Sequence, residues 1–401
     1  MRARTAARGV DLGRSSWPGA AADSSDWVSL LKTVTDLSRT LLPFVLVSFA
    51  CGRDVVDRLV DQARVGPRQA SSSQGNPLPD AGQPDVGQPD AGQPPPGPGP
   101  APAPVADWNV DISSAPVDRQ SADYIAFINT PDLRQLHPDC GRELWPGSDQ
   151  IFGMPVIRVD RNQPKTSVEF YYAAQSDGVD HSTGRSFPFY PIPDRAISTP
   201  HMIQGGEPGI VDLRGIEDRH MIILQTDDNL LYELYSVFYD QSAHQWLAGA
   251  GAFFDLNNPR YRRPEGWTSA NASGMAMYPG FIQYEEVYGA DEMGHAMRAT
   301  VRATNGYVYP ASHRAGDTPG ALPMGARLRL KANVDISRFP APVQKIFRAM
   351  KKYGLIVTDN GRDMDIGGTF DPRWDNDVLN PAFHALTAAD FEVVELGFRQ
   401  Q

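Results

Sequence analysis

The sequence predicts one mainly β domain over residues 107–401, a sandwich of jelly-roll or lectin-like type with one or two short helices. Apolar runs in this region are short and are separated by Gly, Pro, Asn and Asp, which is typical of strands joined by turns. Five of the chain's seven tryptophans lie here. Neither a Gly-rich phosphate loop nor a regular alternation of strands and helices is present, which disfavours a nucleotide-binding parallel sheet.

Short apolar runs predict the strands of this domain. Residues 220–225 and 230–237 are joined by four polar residues and predict a hairpin. The other predicted strands are 154–159, 167–172, 251–256, 295–303, 306–309, 327–334, 355–358 and 391–396.

Apolar residues recur at clear helical spacing in one segment of this domain, from Val343 to Met350. Pro342 suits a first turn and Gly354 suits a helix end. A second short helix is predicted over 384–391. The apolar face of the first helix consists of Val343, Ile346, Phe347 and Met350.

The first quarter of the chain predicts an export signal rather than a folded domain, with residues 1–51 as an N-terminal extension and signal segment. The apolar run 41–50 is too short to span a bilayer as a helix but suits a signal peptide, and Lys32 and Arg39 supply a positive flank. The segment Ser48–Gly52 resembles a bacterial lipobox, although Phe49 is bulkier than usual. The resemblance implies export and a membrane anchor through lipid on Cys51, at the cell surface or in the periplasm. A short buried segment with an ordinary cysteine is the alternative.

Residues 52–106 predict a disordered tether. Three repeats of Pro-Asp-Ala/Val-Gly-Gln begin at Pro79, Pro84 and Pro89 and are followed by a Pro-rich run to residue 104. A repeat so poor in apolar residues cannot form a buried hydrophobic core. A polyproline-like spacer of this kind could extend to roughly 120 Å and hold the domain away from a membrane.

The charge of the chain limits its partners. A formal net charge of −11 disfavours nucleic acid, which requires a basic surface that neutralises phosphates. Removal of residues 1–51 would leave the protein still more acidic.

The second cysteine, Cys140, would be a free thiol if Cys51 carries lipid. It lies in the segment His137–Gly141, where His and Asp raise the possibility of a nucleophile or metal site. A turn flanked by Pro and Gly is the plainer interpretation, since one Cys and one His do not make a metal site.

A row of cations is predicted along one strand. Arg327, Arg329 and Lys331 alternate with apolar residues, which places their side chains on one face at spacings of about 6.6 Å. They could form a groove for an acidic polymer. Alternatively, they form a solvated face paired with the domain's carboxylates.

A dense run of acidic residues, 359–365, suggests two kinds of chemistry. Asp359, Asp363 and Asp365 could bind Ca²⁺ through oxygen ligands, although the spacing is not that of an EF-hand. Alternatively, Asp359 could act with Glu233 or Glu285 as the carboxylate pair of a glycoside hydrolase. A turn rich in Asp and Asn without a function is the third interpretation.

Three histidines are candidates for acid–base chemistry. Strand alternation puts His295 on an apolar face. There it could be a catalytic base on a concave sheet or, alternatively, a buried core histidine. His313 lies in a predicted loop and is a better candidate than His220, because loops at the rim of a rigid scaffold often carry function. Ser312 lacks the strained turn of a nucleophile.

Six segments between Trp246 and Gly361 carry a resemblance to other sequences: Ala248–Leu256, Gly266–Ala270, Pro279–Val287, His295–Arg298, Met324–Lys331 and Lys352–Gly361. On these segments the chain resembles a family of uncharacterised secreted bacterial proteins. The resemblance implies export and a shared fold, and it carries no activity.

Together these features predict a cell-surface protein that acts on extracellular polysaccharide or a cell-wall polymer. As a hydrolase or lyase it would use an Asp, Glu or His as acid or base, and Trp267 or Trp374 would stack on a sugar ring. The alternative is a non-catalytic carbohydrate-binding or adhesion module that uses the same aromatic residues.

Overall fold

The computed structural model describes residues 106–258 and 260–400. Cys51 and nearly all of the predicted tether therefore lie outside the described residues. Helices are α1 (Ser121–Ile128), α2 (Tyr284–Tyr288), α3 (Ala341–Lys352) and α4 (Asn376–His384). Strands are β1 (His137–Gly141), β2 (Val156–Val159), β3 (Val168–Phe170), β4 (Val179–Asp180), β5 (Arg185–Ser186), β6 (Met221–Gln225), β7 (Leu230–Tyr235), β8 (Phe238–Asp240), β9 (Gln245–Ala248), β10 (Ala250–Asp255), β11 (Met297–Val301), β12 (Arg327–Leu330), β13 (Leu355–Asn360), β14 (Asp365–Phe370) and β15 (Phe391–Val393).

The prediction of a mainly β domain is confirmed, and the strands form mixed sheets. One six-stranded sheet has the order β1-β14-β11-β13-β12-β15, and a four-stranded sheet has the order β10-β7-β6-β2. A three-stranded sheet, β3-β9-β8, and the pair β4-β5 complete the set. The pairs β1-β14, β2-β6, β3-β9 and β11-β13 run parallel, which departs from the antiparallel sheets of a jelly roll.

The predicted helix is α3, and its apolar face packs on the six-stranded sheet. The face predicted from helical spacing is buried in one cluster with Leu328 and Leu330 of β12. Met297, Ala299 and Val301 of β11 belong to the same cluster, as strand alternation predicts.

The predicted hairpin is formed by β6 and β7. The two strands pair antiparallel, with Gln225 opposite Leu230 across the turn of residues 226–229. Buried residues of this hairpin contribute to two apolar clusters, one on each face of the four-stranded sheet. Burial on both faces explains why β6 and β7 are continuous apolar runs rather than alternating ones.

Two predicted elements are wrong. Residues 306–309 form one isolated bridge, between Tyr307 and Met324, instead of a strand. Residues 384–391 do not form a helix, because α4 ends at His384 and a 3₁₀ turn follows at Ala388–Asp390. Pro381 lies inside α4, where proline is normally unfavourable. The sequence therefore favours a helix that begins after this proline, C-terminal to the helix that is formed.

Strands β1 and β14 were not predicted. β1 contains Pro138 and Gly141, and β14 contains Gly367 and Gly368, all residue types that strands avoid. At Gly367 a Cβ would lie 2.6 Å from Cγ of Arg298, so a side chain at this position would clash. None of the helices in the described part of the chain is both long and apolar enough to cross a membrane.

Candidate functional site

A cavity of about 390 Å³ opens where the end of β13 meets two loops. This volume lies in the usual range for small-molecule sites. Its lining combines carboxylates, amides, hydroxyls and two tyrosines: Tyr172, Gln175, Asp218, Tyr235, Ala250, Thr268, Ser269, Ala270, Asn271, Ala272, His313, Arg314, Ala315, Asp359 and Asn360. We call it the β13 cavity.

Main-chain hydrogen bonds hold one wall of the β13 cavity together. The N–H of Ser236 donates to the carbonyl of Asp218 at 2.8 Å, which ties the segment that precedes β6 to the residue that follows β7. The N–H of Gly249 donates to the carbonyl of Tyr235 at 2.7 Å, and the N–H of Tyr172 donates to the carbonyl of Gly249 at 2.9 Å. Asp218, Tyr235 and Tyr172 are thereby fixed relative to one another.

Asp359 lies at the end of β13 and is partly buried in the cavity wall. Its Oδ1 accepts a hydrogen bond from the N–H of Asn360 at 2.9 Å, and its Oδ2 accepts one from the N–H of Ala272 at 3.3 Å. Burial raises the pKa of Asp359 to about 6, and the nearby charges of Arg298 and Asp218 act in opposite directions. A carboxyl with this pKa can hold or release a proton near neutral pH.

His313 lies on a loop that lines the cavity. Its Nδ1 is 2.8 Å from the carbonyl oxygen of Ala272, which can only accept, so Nδ1 donates. In the neutral ring, Nε2 is then the acceptor nitrogen. Because the main chain of Ala272 bonds to both Asp359 and His313, it fixes the position of the two side chains in the same wall.

Tyr235 places a phenol in the cavity, and His220 lies behind the wall. Burial raises the pKa of Tyr235, and the carboxylates Asp218 and Asp359 add to this effect. The His220 ring lies 5.4 Å from the Tyr235 ring, and its Nε2 is 2.8 Å from the carbonyl oxygen of Ala270. Burial lowers the pKa of His220, so this histidine supports the wall as a neutral ring.

Two predicted carboxylates, Glu233 and Glu285, are not part of the cavity lining. Glu233 is buried in the four-stranded sheet, where it accepts hydrogen bonds from the N–H groups of Met277 and Tyr278, each at 2.9 Å. Burial raises the pKa of Glu233 to about 7. Glu285 is exposed on α2 and forms an ion pair with Arg373.

His295 is a buried histidine rather than a cavity residue. Its Nε2 lies 3.1 Å from Oε2 of Glu286, and its Nδ1 lies 2.8 Å from the carbonyl oxygen of Ala296. Burial acts to lower the pKa of His295, but the hydrogen bond and charge of Glu286 outweigh it, and the pKa is raised. These contacts fit the interpretation of His295 as a core residue.

The cation row on β12 does not form a groove, so this prediction is wrong. Arg327 and Arg329 are 3% and 9% exposed. Arg327 donates to the carbonyl of Asp107 at 2.5 Å, and Arg329 binds Glu392 at 2.6 Å and carbonyls of residues 112–115. Lys331 donates to the carbonyl of Ala389 at 2.7 Å. The first residues of the domain cover this face of the strand, which alternation alone cannot predict.

The predicted calcium cluster is not formed. Asp363 accepts from the N–H of Arg302 at 2.9 Å and pairs with its guanidinium at 2.7 Å, while Asp365 pairs with Arg362 at 3.1 Å. Within residues 106–258 and 260–400, no three His, Cys, Asp or Glu side chains are grouped to hold a metal ion. Arginines, rather than a cation from solution, balance these carboxylates.

The predicted stacking tryptophans also lie outside the lining of the cavity. Trp374 is 1% exposed, and its Nε1 donates to the carbonyl of Thr369 at 3.0 Å, so it cannot stack on a sugar. Trp267 is partly exposed beside the wall residue Thr268, with the guanidinium of Arg263 at 5.3 Å from its ring. Cys140 is fully buried in β1, and burial raises its pKa, which excludes a reactive thiolate.

Sequence reasoning selected Asp359 and His313 but missed most of the cavity. The missed residues come from seven separate stretches of the chain, and they include Tyr172, Gln175, Asp218, Tyr235 and Asn360. One local signal was present: residues 267–274 are dense in small polar side chains, which is typical of a loop that lines a polar site.

Comparisons with protein-family models, curated proteins and solved structures find no match to this chain.

Proposed function

We propose that the β13 cavity binds a neutral glycan and hydrolyses a glycosidic bond, with Asp359 as the general acid. The observation that carries this proposal is the Asp359 carboxyl, whose pKa is raised to about 6 in a cavity that a second carboxylate, Asp218, also lines. Glycoside hydrolysis uses such a pair, in which one carboxyl protonates the leaving oxygen and the other acts as base or nucleophile.

The other lining residues suit a sugar ligand. Tyr172 and Tyr235 offer aromatic faces for the apolar side of a sugar ring, together with hydroxyl groups. Nε2 of His313 is an acceptor for a sugar hydroxyl, and Gln175 and Asn360 add amides. A few polar groups at the wall of a mostly preformed pocket are the usual source of ligand orientation.

The charges of the site favour a neutral glycan over an acidic one. The arginines of β12 are buried, so they do not present a surface to carboxylated sugars. Arg314 lines the cavity but pairs with Asp317 at 2.8 Å. Asp218 would repel a uronic acid, as would the net charge of −11 and, when it is ionised, Asp359.

The second candidate is a glycan-binding module without turnover. Both oxygens of Asp359 accept main-chain hydrogen bonds, which is also what a purely structural aspartate would do. In that case the tyrosines and amides would hold a sugar, and Asp359 would only fix the loop at Ala272.

Hydrolysis can be tested on the purified full-length protein with xylan, cellulose and chitin, and with polygalacturonate as the acidic comparison. We expect reducing ends to be released from a neutral glycan. The rate should fall as pH rises through about 6, because the general acid Asp359 must be protonated.

Asp359→Asn should lower kcat by about 10²- to 10⁴-fold, the usual contribution of a general acid. Asp335→Asn changes an exposed aspartate that does not line the cavity and serves as the control. Binding without release by the wild-type protein would support the second candidate. Equal rates for the Asp359→Asn and wild-type proteins would contradict the assignment of Asp359.

For the N-terminal region we propose export and a lipid anchor on Cys51, based on the lipobox-like segment Ser48–Gly52. Cells expressing the protein can be labelled with a clickable fatty acid, with Cys51→Ser as the test variant and Cys140→Ser as the matched control. Label lost only in Cys51→Ser is expected. Label retained in Cys51→Ser would contradict the anchor.

A further inference from the structure

Two adjacent tyrosines continue the β13 cavity onto the surface. Tyr171 is 71% exposed, more than any other aromatic residue among those described, and Tyr172 is 46% exposed. Tyr172 lines the cavity. The two rings are perpendicular, with centroids 4.8 Å apart, so one ring edge meets the other ring's face. This edge-to-face contact leaves ring surface of Tyr171 open to solvent.

Main-chain hydrogen bonds hold the pair in place. The N–H of Tyr171 donates to the carbonyl of Ala248 at 3.0 Å and that of Tyr172 to the carbonyl of Gly249 at 2.9 Å. The hydroxyl of Ser176 donates to the carbonyl of Tyr172 at 2.9 Å. These bonds extend the β3-β9 pairing and order the main chain of both tyrosines, so little main-chain freedom is lost when a ligand binds.

Gly249 connects this pair to the interior of the cavity. Its carbonyl holds Tyr172, and a Cβ at this position would lie 2.7 Å from Cδ1 of Tyr235. The Tyr235 ring thus lies directly against the Gly249 main chain. Three tyrosines, at positions 171, 172 and 235, follow one another from solvent to the cavity wall.

We propose that Tyr171 and Tyr172 form an outer sugar subsite, so that the ligand is a glycan chain of several residues rather than a single sugar or a disaccharide. This inference rests on the proposed function of the cavity. Rigid tyrosines give a flat apolar face with a polar end, which matches a sugar ring with its hydroxyl rim. Two exposed rings are too small a patch for a stable protein–protein interface, which buries at least about 1,000 Å².

The subsite can be tested by calorimetric titration of the full-length Asp359→Asn protein, which should bind without turnover. Matched disaccharides and hexasaccharides of the xylan, cellulose and chitin series are the probes. We expect the hexasaccharide of the recognised series to bind more tightly than its disaccharide. Adding Tyr171→Ala should weaken the hexasaccharide about five- to tenfold and leave the disaccharide within twofold.

Two further variants separate the subsite from the cavity. Trp145→Ala removes an exposed aromatic residue that does not line the cavity and should change neither affinity. Tyr235→Ala should weaken both ligands. If Tyr171→Ala leaves hexasaccharide affinity unchanged while Tyr235→Ala still weakens the disaccharide, the outer subsite is wrong and the cavity proposal stands. If no sugar of any series binds, both proposals are wrong.

Discussion

Neighbouring strands β12 and β13 of the six-stranded sheet both carry charged residues that sequence patterns select, but the structure uses them differently. Arg329 of β12 is buried beneath residues 112–115 and makes hydrogen bonds to their carbonyls and to Glu392. Asp359 lies near the end of β13 beside an open cavity, and burial raises the pKa of its carboxyl to about 6 although both of its oxygens accept main-chain hydrogen bonds. A buried charge held by an ion pair and several hydrogen bonds supports the fold, whereas a carboxyl at a cavity with a pKa raised toward neutrality is a candidate for chemistry.

The largest expected effect on stability is that of Arg329→Ala. Removal of the guanidinium leaves Glu392 and several carbonyls without their donor, and breaking a buried pair costs about 3–5 kcal/mol. Denaturant unfolding measures this cost. At temperatures where the variant is folded, its affinity for glycan should equal that of the wild type, because Arg329 does not line the cavity. A selective loss of binding to acidic glycans would restore the groove interpretation.

Glu233→Gln should change how stability depends on pH. The pKa of Glu233 is about 7 in the folded protein against 4.5 as the ordinary value. A raised pKa means that its stabilisation is complete below 4.5 and is lost as pH rises to about 7, a loss of about 3 kcal/mol. The neutral glutamine can still accept from the N–H groups of Met277 and Tyr278.

The measurement for Glu233→Gln is the free energy of unfolding of both proteins between pH 4 and pH 8. The difference between variant and wild type should grow in favour of the variant as pH rises. A difference that stays constant across this range would contradict the raised pKa of Glu233.

His313→Ala should lower kcat/KM on the hydrolysed glycan by about tenfold, equivalent to about 1.4 kcal/mol. The reason is the loss of the Nε2 acceptor in the cavity and of the hydrogen bond to Ala272. His244→Asn is the control, because His244 is an exposed turn residue with φ of 50°, a conformation that asparagine tolerates. If both variants lost activity equally, His313 would have no special role.

The smallest effect is expected for Lys331→Ala, the outermost member of the cation row. Lys331 is partly exposed and makes a hydrogen bond to one carbonyl, that of Ala389. Its removal should cost at most about 0.5 kcal/mol, as is usual at surfaces. A cost comparable to that of Arg329→Ala would show that the whole row acts as one unit.

Local patterns in the sequence predicted the elements whose periodicity is strong. The helix α3 follows from apolar residues at helical spacing before Gly354, and the β6-β7 hairpin follows from two apolar runs around a polar turn. β1 and β14 were missed because close contacts such as that of Gly367 with Arg298 require glycines that strands otherwise avoid.

The candidate site was less predictable than the elements, because it is assembled from distant parts of the chain. Tyr172 follows β3, Tyr235 ends β7 and Asp359 lies in β13, so residues from three different sheets meet at the cavity. Alternation placed Arg327 and Arg329 on one strand face correctly but could not show that residues 107–115 cover that face. Which face meets solvent is decided by tertiary contacts.

The most direct test of the account is a crystal structure of the full-length Asp359→Asn protein with a bound neutral hexasaccharide. We predict a sugar ring against Tyr235, with a glycosidic oxygen within hydrogen-bonding distance of the side chain at position 359. A hexasaccharide bound along β12, or at any place away from the β13 cavity, would contradict the central claim.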